Sequence, residues 1–186
     1  MAYHHGDARA ALLAAAAAML ETEGAAGLSL RQVAERAGLS RQAPYNHFAN
    51  KEAMLAEVAA DGFRTLRARM AAIGAAASPI ERLSAAADAY IGFGTERPAT
   101  FRLMFARELV DIRSHAGAKA DADAAMALLA AIVSEVVPPA VVGDATLVAW
   151  SLVHGYTELC IEAGIEGADK RAARASLFAR TVAAVA

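Results

Sequence analysis

The sequence predicts an all-α protein in which an N-terminal three-helix unit of the helix-turn-helix type precedes a larger helical bundle. Hydrophobic residues occupy 57% of the 186 positions, and many are alanine or leucine, which favour helices. Only 13 glycines and 5 prolines interrupt the chain. Apolar residues recur at helical spacing, and no alternating strand pattern is found. We place the domain boundary after residue 50, which gives domains 1–50 and 51–186.

The N-terminus predicts a short arm followed by one long helix. Asp7 caps a helix that runs to about Glu23 and ends at Gly24, and residues 1–6 form the arm. A secretory signal peptide needs a cationic start and an apolar core, which this arm lacks. No uncharged apolar run approaches the roughly 20 residues of a membrane span. We therefore expect a cytoplasmic protein without a membrane partner.

The next residues predict two short helices joined by a tight turn. Ser29 caps the first helix, with Gln32 three residues later as in a capping box. Gly38 ends it, because glycine adopts the left-handed conformation without a steric penalty. Ser40 caps a second helix that runs to about Phe48. Two short helices joined by a glycine-containing turn are the signature of helix-turn-helix DNA-binding proteins.

The surface of the second helix suits contacts with DNA bases. Arginine reads guanine edges and glutamine reads adenine edges through paired hydrogen bonds, which favours Arg41 and Gln42 as base contacts. Ala43 and Pro44 are placed to contact a thymine methyl group. Pro44 also disfavours the helical conformation of the residue before it. The helix therefore either starts late or is distorted so that it presents Arg41 and Gln42, and the sequence leaves both interpretations open.

A third helix begins beside a cation. Asn50 caps it, Lys51 opens it, and it runs to about Ile73. The free N–H groups of a helix N-terminus and a nearby lysine suit a DNA phosphate. Net charge is only −2, and residues 1–51 contain five cationic and four acidic side chains. We therefore expect a shallow salt dependence of DNA binding.

Five further helices are predicted. Ser78 and Pro79 open the first of them, because proline suits the first helical position. Aspartates are expected to cap the last two. A loop is expected at His115–Lys119. The helices span Pro79–Glu96, Ala99–Leu109, Asp121–Val136, Asp144–Ala163 and Asp169–Val185.

Two groups of residues suggest a small-molecule pocket in the larger domain. Phe101, Met104 and Phe105 suit a pocket wall, although ordinary core packing explains them equally well. Trp150 and His154 lie one helical turn apart, and together they suit a partly apolar effector that carries one polar group.

The last two helices suggest a dimer interface. Ser151 and Gly155 are small residues spaced four apart, which allows another helix to approach closely. Phe178 and Val182 form an apolar stripe on the final helix. Two such helices from each protomer would form a four-helix interface.

A different class of function is also open. His154, Glu158 and Glu162 recur every four residues on one helix face, a spacing that can hold a metal. The alternative is thus a helical small-molecule-binding protein or a metal-dependent enzyme that uses His154 and Glu158. The sequence holds no Ser/His/Asp arrangement and no glycine-rich phosphate loop, so we expect neither an enzyme nor a cofactor.

The first third of the chain resembles the DNA-binding domain of the tetracycline-repressor (TetR) family. The resemblance rests on Tyr3–Leu13, Gly24, Leu28–Ser40 and Ala43–Leu55. Its most specific piece is the Tyr-x-His-Phe-x-x-Lys run of Tyr45–Lys51. A shorter match, Trp150 followed by His154 and Gly155, is similar to a subgroup with a Trp…His-Gly signature.

The resemblance implies a bacterial DNA-binding regulator with a C-terminal effector-binding and dimerising domain. Bases would be contacted by Arg41, Gln42 and Ala43, and phosphates by Tyr45, His47 and Lys51, with Ser29 also at the DNA surface. We therefore expect a ligand-responsive homodimer that acts as a repressor. It would leave a palindromic double-stranded operator when a small effector binds, although an activator remains an open alternative.

Overall fold

The computed structural model describes residues 5–74, 77–165 and 168–184, together with the side chains in these ranges except those of residues 5–7 and 168–169. The described ranges contain no strand, so the predicted all-α class is confirmed. They hold eight α-helices: α1 (His5–Gly27), α2 (Leu30–Arg36), α3 (Lys51–Ala71), α4 (Pro79–Glu96), α5 (Pro98–Phe105), α6 (Ala116–Val133), α7 (Val142–Ala163) and α8 (Ala168–Ala183).

The chain forms two compact units that are not contiguous in sequence. The first unit comprises Met1–Phe63 and Ala99–Asp121, and the second comprises Arg64–Pro98 and Ala122–Ala186. The first unit thus includes the N-terminal helices together with α5, whereas the second includes α4, α7 and α8. The division into domains 1–50 and 51–186 remains a prediction about function, since the contacts group the chain differently.

Two glycines shape the N-terminal helices of the first unit as the sequence predicts. Gly24 has a φ of 70° and interrupts α1, which continues for one further turn to Gly27. Gly38 has a φ of 68° directly after α2. The Oγ of Ser29 accepts a hydrogen bond from the Gln32 backbone N–H at 3.3 Å, so Ser29 caps α2.

The second helix of the helix-turn-helix differs from the prediction. No α-helix extends from Ser40 to Phe48; the segment instead forms a short 3₁₀ helix over Ala43–Asn46. Gln42 precedes it and makes no capping hydrogen bond through its side chain. Proline at its start lacks an N–H and disfavours a helical residue before it, so the helix starts late.

Several later helix ends also differ from expectation. The predicted loop at His115–Lys119 is wrong, because α6 begins at Ala116 and ends at Val133. Asp144 lies inside the first turn of α7, and Val141 occupies the cap position without a side-chain hydrogen bond. Helix α1 begins at His5, two residues before Asp7. The expected caps at Asp7 and Asp169 concern side chains outside the described ones.

Helices α4, α7 and α8 pack together around the core of the second unit. Ser78 and Glu81 form the capping box that starts α4, with the Ser78 N–H donating to the Glu81 carboxylate at 2.8 Å. Arg171 of α8 pairs with Asp88 of α4 through an Nε–Oδ1 contact of 2.8 Å. Their core side chains include Leu83, Ala86, Phe93, Val153, Ala179 and Val182, all at most 6% exposed.

Candidate functional sites

The segment Arg41–His47, here called the reading segment, presents polar side chains from a base of buried ones. Its 3₁₀ helix is held by backbone hydrogen bonds from His47 and Phe48 to the Pro44 carbonyl, at 3.0 and 2.8 Å. Pro44 is buried and Phe48 is only 4% exposed. Arg41 and Tyr45 point away from this base, with 68% and 55% exposure.

The burial of Pro44 corrects one expectation. Its ring belongs to the core of the first unit, so it is not available to contact a thymine methyl group. Exposed Gln42 and half-buried Ala43 lie directly before it. The proline therefore fixes the backbone that carries the expected base-reading residues.

Ion pairs moderate the positive charge around the reading segment. Glu35 lies 3.3 Å from the Nε of Arg31 and 3.5 Å from the Nε of Arg41. Arg36 pairs with Glu23 at 3.1 Å. Such exposed pairs are weak, so another polar or charged group can replace them at small cost.

The start of α3 adds a second group of polar atoms beside the reading segment. The Asn50 Oδ1 accepts a hydrogen bond from the Ala53 N–H at 2.8 Å, which confirms the expected cap. Lys51 and His47 are both half-buried. Glu52 contacts the Nε2 of His115 at 3.3 Å.

A polar network in the second unit centres on Tyr90, a residue that the sequence did not single out. The Nε1–H of Trp150 donates to the Tyr90 hydroxyl at 3.2 Å. That hydroxyl lies 2.9 Å from Nδ1 of His154. Burial raises the pKa of Tyr90 well above its ordinary value, so the phenol keeps its proton and can donate it to an imidazole whose Nδ1 is unprotonated.

The imidazole of this network is neutral near pH 7. Burial lowers the pKa of His154 below its ordinary value, and the nearby carboxylate of Glu158 opposes that shift. Neutral His154 with Nδ1 as acceptor carries its proton on Nε2. A buried tyrosine normally finds a hydrogen-bond partner, but the burial of Tyr90 comes from the structure, and no local pattern in the sequence identifies it.

Tyr90 also borders an apolar cavity of about 20 Å³ within the second unit. Among the described residues that line this cavity, Tyr90 alone has a side-chain oxygen or nitrogen atom. The lining residues are Met70, Leu83, Ala86, Ala87, Tyr90, Leu129, Ala149, Val153, Phe178, Ala179 and Val182.

The residues expected in one effector pocket are distributed over both units. Phe101, Met104 and Phe105 belong to the first unit, whereas Trp150 and His154 belong to the second.

The α5 residues of this group pack inside the first unit. Phe101 and Met104 are at most 1% exposed, and Phe105 packs against Phe63 with ring centroids 5.7 Å apart. A Cβ at Gly62 would lie 2.6 Å from the Met104 sulfur. This close packing favours the core interpretation of these three residues.

The expected dimer residues also occupy two environments. Ser151 and Gly155 are exposed on α7, between Leu147 at 58% and Leu159 at 53% exposure. Val182 is 1% exposed and lines the cavity together with Phe178. Both α8 residues therefore face inward, and Leu177, at 42% exposure, is the large exposed apolar residue among the described side chains of that helix.

Two further features bear on the alternatives. Among the described residues, no group of three or more His, Cys, Asp or Glu side chains is arranged to hold a metal ion. The face of His154, Glu158 and Glu162 therefore gives the metal-dependent alternative no structural support in the described ranges. No helix in those ranges is both long and apolar enough to cross a membrane.

Comparison with known proteins gives consistent matches along the chain. Residues 12–58 match the family model for bacterial regulatory proteins of the tetR family. Residues 83–185 match the model for the tetracyclin repressor-like C-terminal domain. No curated protein is similar enough to count as a match.

Solved structures are similar over nearly the whole chain. A protein with unknown function from Rhodococcus sp. RHA1 is 32% identical, with a TM-score of 0.81 over 96% of this chain and 97% of that one. A tetR-family regulatory protein from Rhodococcus RHA1 is 21% identical, with a TM-score of 0.73 over 94% and 96% of the two chains. The TetR-family regulator PfmR from Thermus thermophilus is 24% identical, with a TM-score of 0.70 over 91% and 97%.

Proposed function

Since this chain belongs to the TetR family of bacterial regulatory proteins, we propose that it is a homodimeric repressor that a small effector releases from a palindromic operator. Family membership makes the chain a DNA-binding transcriptional regulator and not an enzyme. The observation that carries the proposal is the reading segment, where Arg41, Gln42 and Tyr45 are exposed above a buried proline. The functional division remains a DNA-binding domain at 1–50 and an effector-binding and dimerising domain at 51–186.

The reading segment is proposed to enter the DNA major groove. Arg41 and Gln42 have the donors and acceptors for paired contacts with base edges, and Ala43 is small enough to meet a thymine methyl group. Tyr45 and His47 are proposed to contact phosphates. Because Glu35 holds Arg41 only weakly, the guanidinium can turn toward a base without a large loss of stability.

The start of α3 is proposed to fix the protein on the DNA backbone. Lys51 supplies a cation, and backbone N–H groups at a helix N-terminus favour a phosphate. Ser29 at the start of α2 is proposed to lie at the same DNA surface. Phosphate contacts position a protein but carry no direct sequence information, so specificity would rest on Arg41 and Gln42.

Dimerisation is proposed to use the exposed face of α7 defined by Leu147, Ser151, Gly155 and Leu159, together with Leu177 of α8. Contiguous exposed apolar patches mark interaction surfaces, and Leu147 and Leu159 flank the small residues Ser151 and Gly155 on this face of α7. A twofold dimer presents two reading segments, which matches a palindrome with half-sites about 34 Å apart. Contact along this face would also cover the apolar area that the protomer leaves exposed.

The effector is proposed to bind in the second unit and to favour a conformation with weaker DNA affinity. Coupling of this kind is typically about 1–3 kcal/mol, and DNA must weaken effector binding by the same amount. The Trp…His-Gly subgroup assignment is part of this proposal. It is supported by the geometry of its signature, in which Trp150 and His154 both contact the hydroxyl of Tyr90. A regulator of this kind would act in the bacterial cytoplasm, where the operator is.

Capture of genomic DNA tests the proposal. Purified protein would be mixed with sheared DNA of the source organism at near-physiological salt, and the bound fragments would be sequenced. We expect a small set of enriched fragments that overlap promoters, and no enrichment by an Arg41→Ala/Gln42→Ala variant. Uniform recovery of the genome by a folded wild-type protein would contradict it, and enriched sites upstream of promoters that the protein stimulates would favour an activator.

A further inference from the structure

We propose that the effector is an uncharged, mainly apolar molecule whose hydrogen-bonding group is recognised by Tyr90. This inference rests on the proposed effector response and names the chemical class of the ligand. The site is the apolar cavity between α4, α7 and α8, with contributions from Met70 and Leu129.

The lining of the cavity excludes a charged ligand group. Of the eleven described residues that line it, ten lack a side-chain oxygen or nitrogen and none carries a charge. Burial of an ion without a partner of opposite charge costs far more than burial of a neutral group. An ammonium or carboxylate that entered this space would therefore lose its hydration, and the Tyr90 hydroxyl is the one polar side-chain group of the described lining that could compensate it.

Tyr90 provides the one polar side chain of this lining through which a neutral ligand can be oriented. Its hydroxyl accepts a hydrogen bond from Trp150 and lies 2.9 Å from Nδ1 of His154. Because a hydroxyl both donates and accepts, an alcohol, a phenol or a ketone can take over one of these hydrogen bonds. The partner that is not displaced, Trp150 or His154, then holds the phenol in position on the side of α7.

The small size of the cavity explains how such a ligand would act. Drug-sized ligand sites measure roughly 300–1,000 Å³, whereas this cavity has about 20 Å³. Ala86, Ala87, Ala149 and Ala179 line it, so the backbones of α4, α7 and α8 lie close together on these sides of the cavity. A ligand larger than the cavity must displace longer lining side chains such as Met70 and Phe178 or separate these helices, and its binding selects a conformation with a wider core in this unit.

A series of three probes with one alkyl chain tests the chemical class. The probes are 1-octanol, octanoate and octylammonium, which differ only in the head group. Trp150 is the single tryptophan of the chain and contacts Tyr90 directly, so its fluorescence reports on this site. We expect saturable binding of 1-octanol at least about tenfold tighter than that of either ion.

A pair of tyrosine variants tests the recognising residue. Tyr90→Phe removes one hydroxyl and is expected to weaken 1-octanol binding about threefold to tenfold, the loss of one neutral hydrogen bond. Tyr156→Phe is the matched control, since Tyr156 is also a buried tyrosine of this unit but does not line the cavity. It is expected to leave the affinity unchanged. Affinities of both variants would be measured by calorimetry, because Tyr90→Phe alters the surroundings of Trp150.

Three results would overturn the inference. The first is an affinity of octanoate or octylammonium equal to that of 1-octanol, and the second is a folded wild-type protein that does not bind 1-octanol saturably. The third is equal 1-octanol affinity of Tyr90→Phe and wild type, which would remove Tyr90 from recognition. These titrations contain no DNA, so their failure is distinct from a failure to bind genomic fragments.

Discussion

Arg41 is the residue on which the proposed DNA specificity depends most. Arg41→Ala is expected to cost about 1–3 kcal/mol in operator binding and to relax base preference at one position in each half-site. Lys51→Ala is the contrasting change and should weaken all sequences alike, with the salt slope reduced by about one. Competition binding against a panel of single-base operator variants measures both effects. An unchanged base preference in Arg41→Ala would remove this residue from base reading.

His154 predicts how stability depends on pH. Its pKa is lowered in the folded state, so the unfolded chain binds more protons as the pH falls through about 6.5, the ordinary value for histidine. The free energy of unfolding therefore decreases as the pH falls from about 7.5 to 5.5. This contribution of His154 stops changing below its pKa in the folded state. His154→Asn keeps an acceptor for Tyr90 without this titration.

Urea unfolding at both pH values checks this prediction. The wild-type midpoint should fall on acidification by more than the midpoint of His154→Asn. Equal decreases in the two proteins would show that the imidazole is not buried as described.

Residues with local partners were predictable, and those with distant partners were not. Ser29 and Asn50 cap helices that begin beside them, so their role follows from short-range spacing. Tyr90 meets Trp150 and His154, which lie 60 and 64 positions away, and no local pattern encodes that contact. The burial of Pro44 was missed for the same reason, since it depends on packing within the first unit.

Glu21 links two helices of the first unit at the element scale. Its carboxylate accepts hydrogen bonds from the N–H groups of Ala99 and Thr100 and from the Thr100 hydroxyl, at 3.0, 2.9 and 2.6 Å. It therefore caps α5 from α1, although 78 residues separate Glu21 from Ala99. The caps that the sequence predicts each lie beside the helix that they start. They therefore did not reveal a cap that a different helix supplies.

Removal of this cap should destabilise the protein. Glu21→Ala is expected to cost about 1–3 kcal/mol, because hydrogen bonds to a charged group are lost and buried Thr100 loses an acceptor. Glu23→Ala is the matched control on the same helix, where only a surface pair with Arg36 is lost, and should cost about 1 kcal/mol or less. Chemical denaturation measures both, and equal losses would contradict the capping role.

Helix ends were predicted best where a capping or helix-terminating residue marks them. The starts of α3 and α4 follow from Asn50 and Ser78 with Pro79, and Gly38 closes α2. The start of α6 was missed because Gly117, a residue that disfavours helices, lies within His115–Lys119 but is part of α6 in the structure. An α-helix was predicted where the chain forms the 3₁₀ helix, because helical propensity and the proline at its start favour different conformations.

At the scale of the whole molecule, the proposed dimer face predicts opposite effects of one substitution on protomer stability and on dimer affinity. A Cβ at Gly155 would meet nothing within 4 Å in the protomer, and leucine favours helices by about 1 kcal/mol over glycine. Gly155→Leu should therefore preserve or raise protomer stability yet weaken the dimer. Light scattering with chromatography, over a range of concentrations, measures the mass.

A second helical glycine serves as control for that substitution. Gly117 is exposed on α6 with nothing within 4 Å of its Cβ position, and Gly117→Leu should leave the oligomeric state unchanged. An equally tight dimer in Gly155→Leu would place the interface elsewhere. The assignment of Gly155 to the interface, made from its spacing to Ser151, stays a prediction. The expectation for Phe178 and Val182 does not fit their inward positions, because periodicity alone does not show which apolar face is covered.

Selection of bound sequences from random duplex DNA tests the central claim most directly. The account predicts that wild-type protein at near-physiological salt enriches a palindrome whose half-sites lie about 34 Å apart, and that two protomers bind each site. Failure of a folded, effector-free protein to enrich any sequence, or enrichment of a single asymmetric site bound by one protomer, would contradict it.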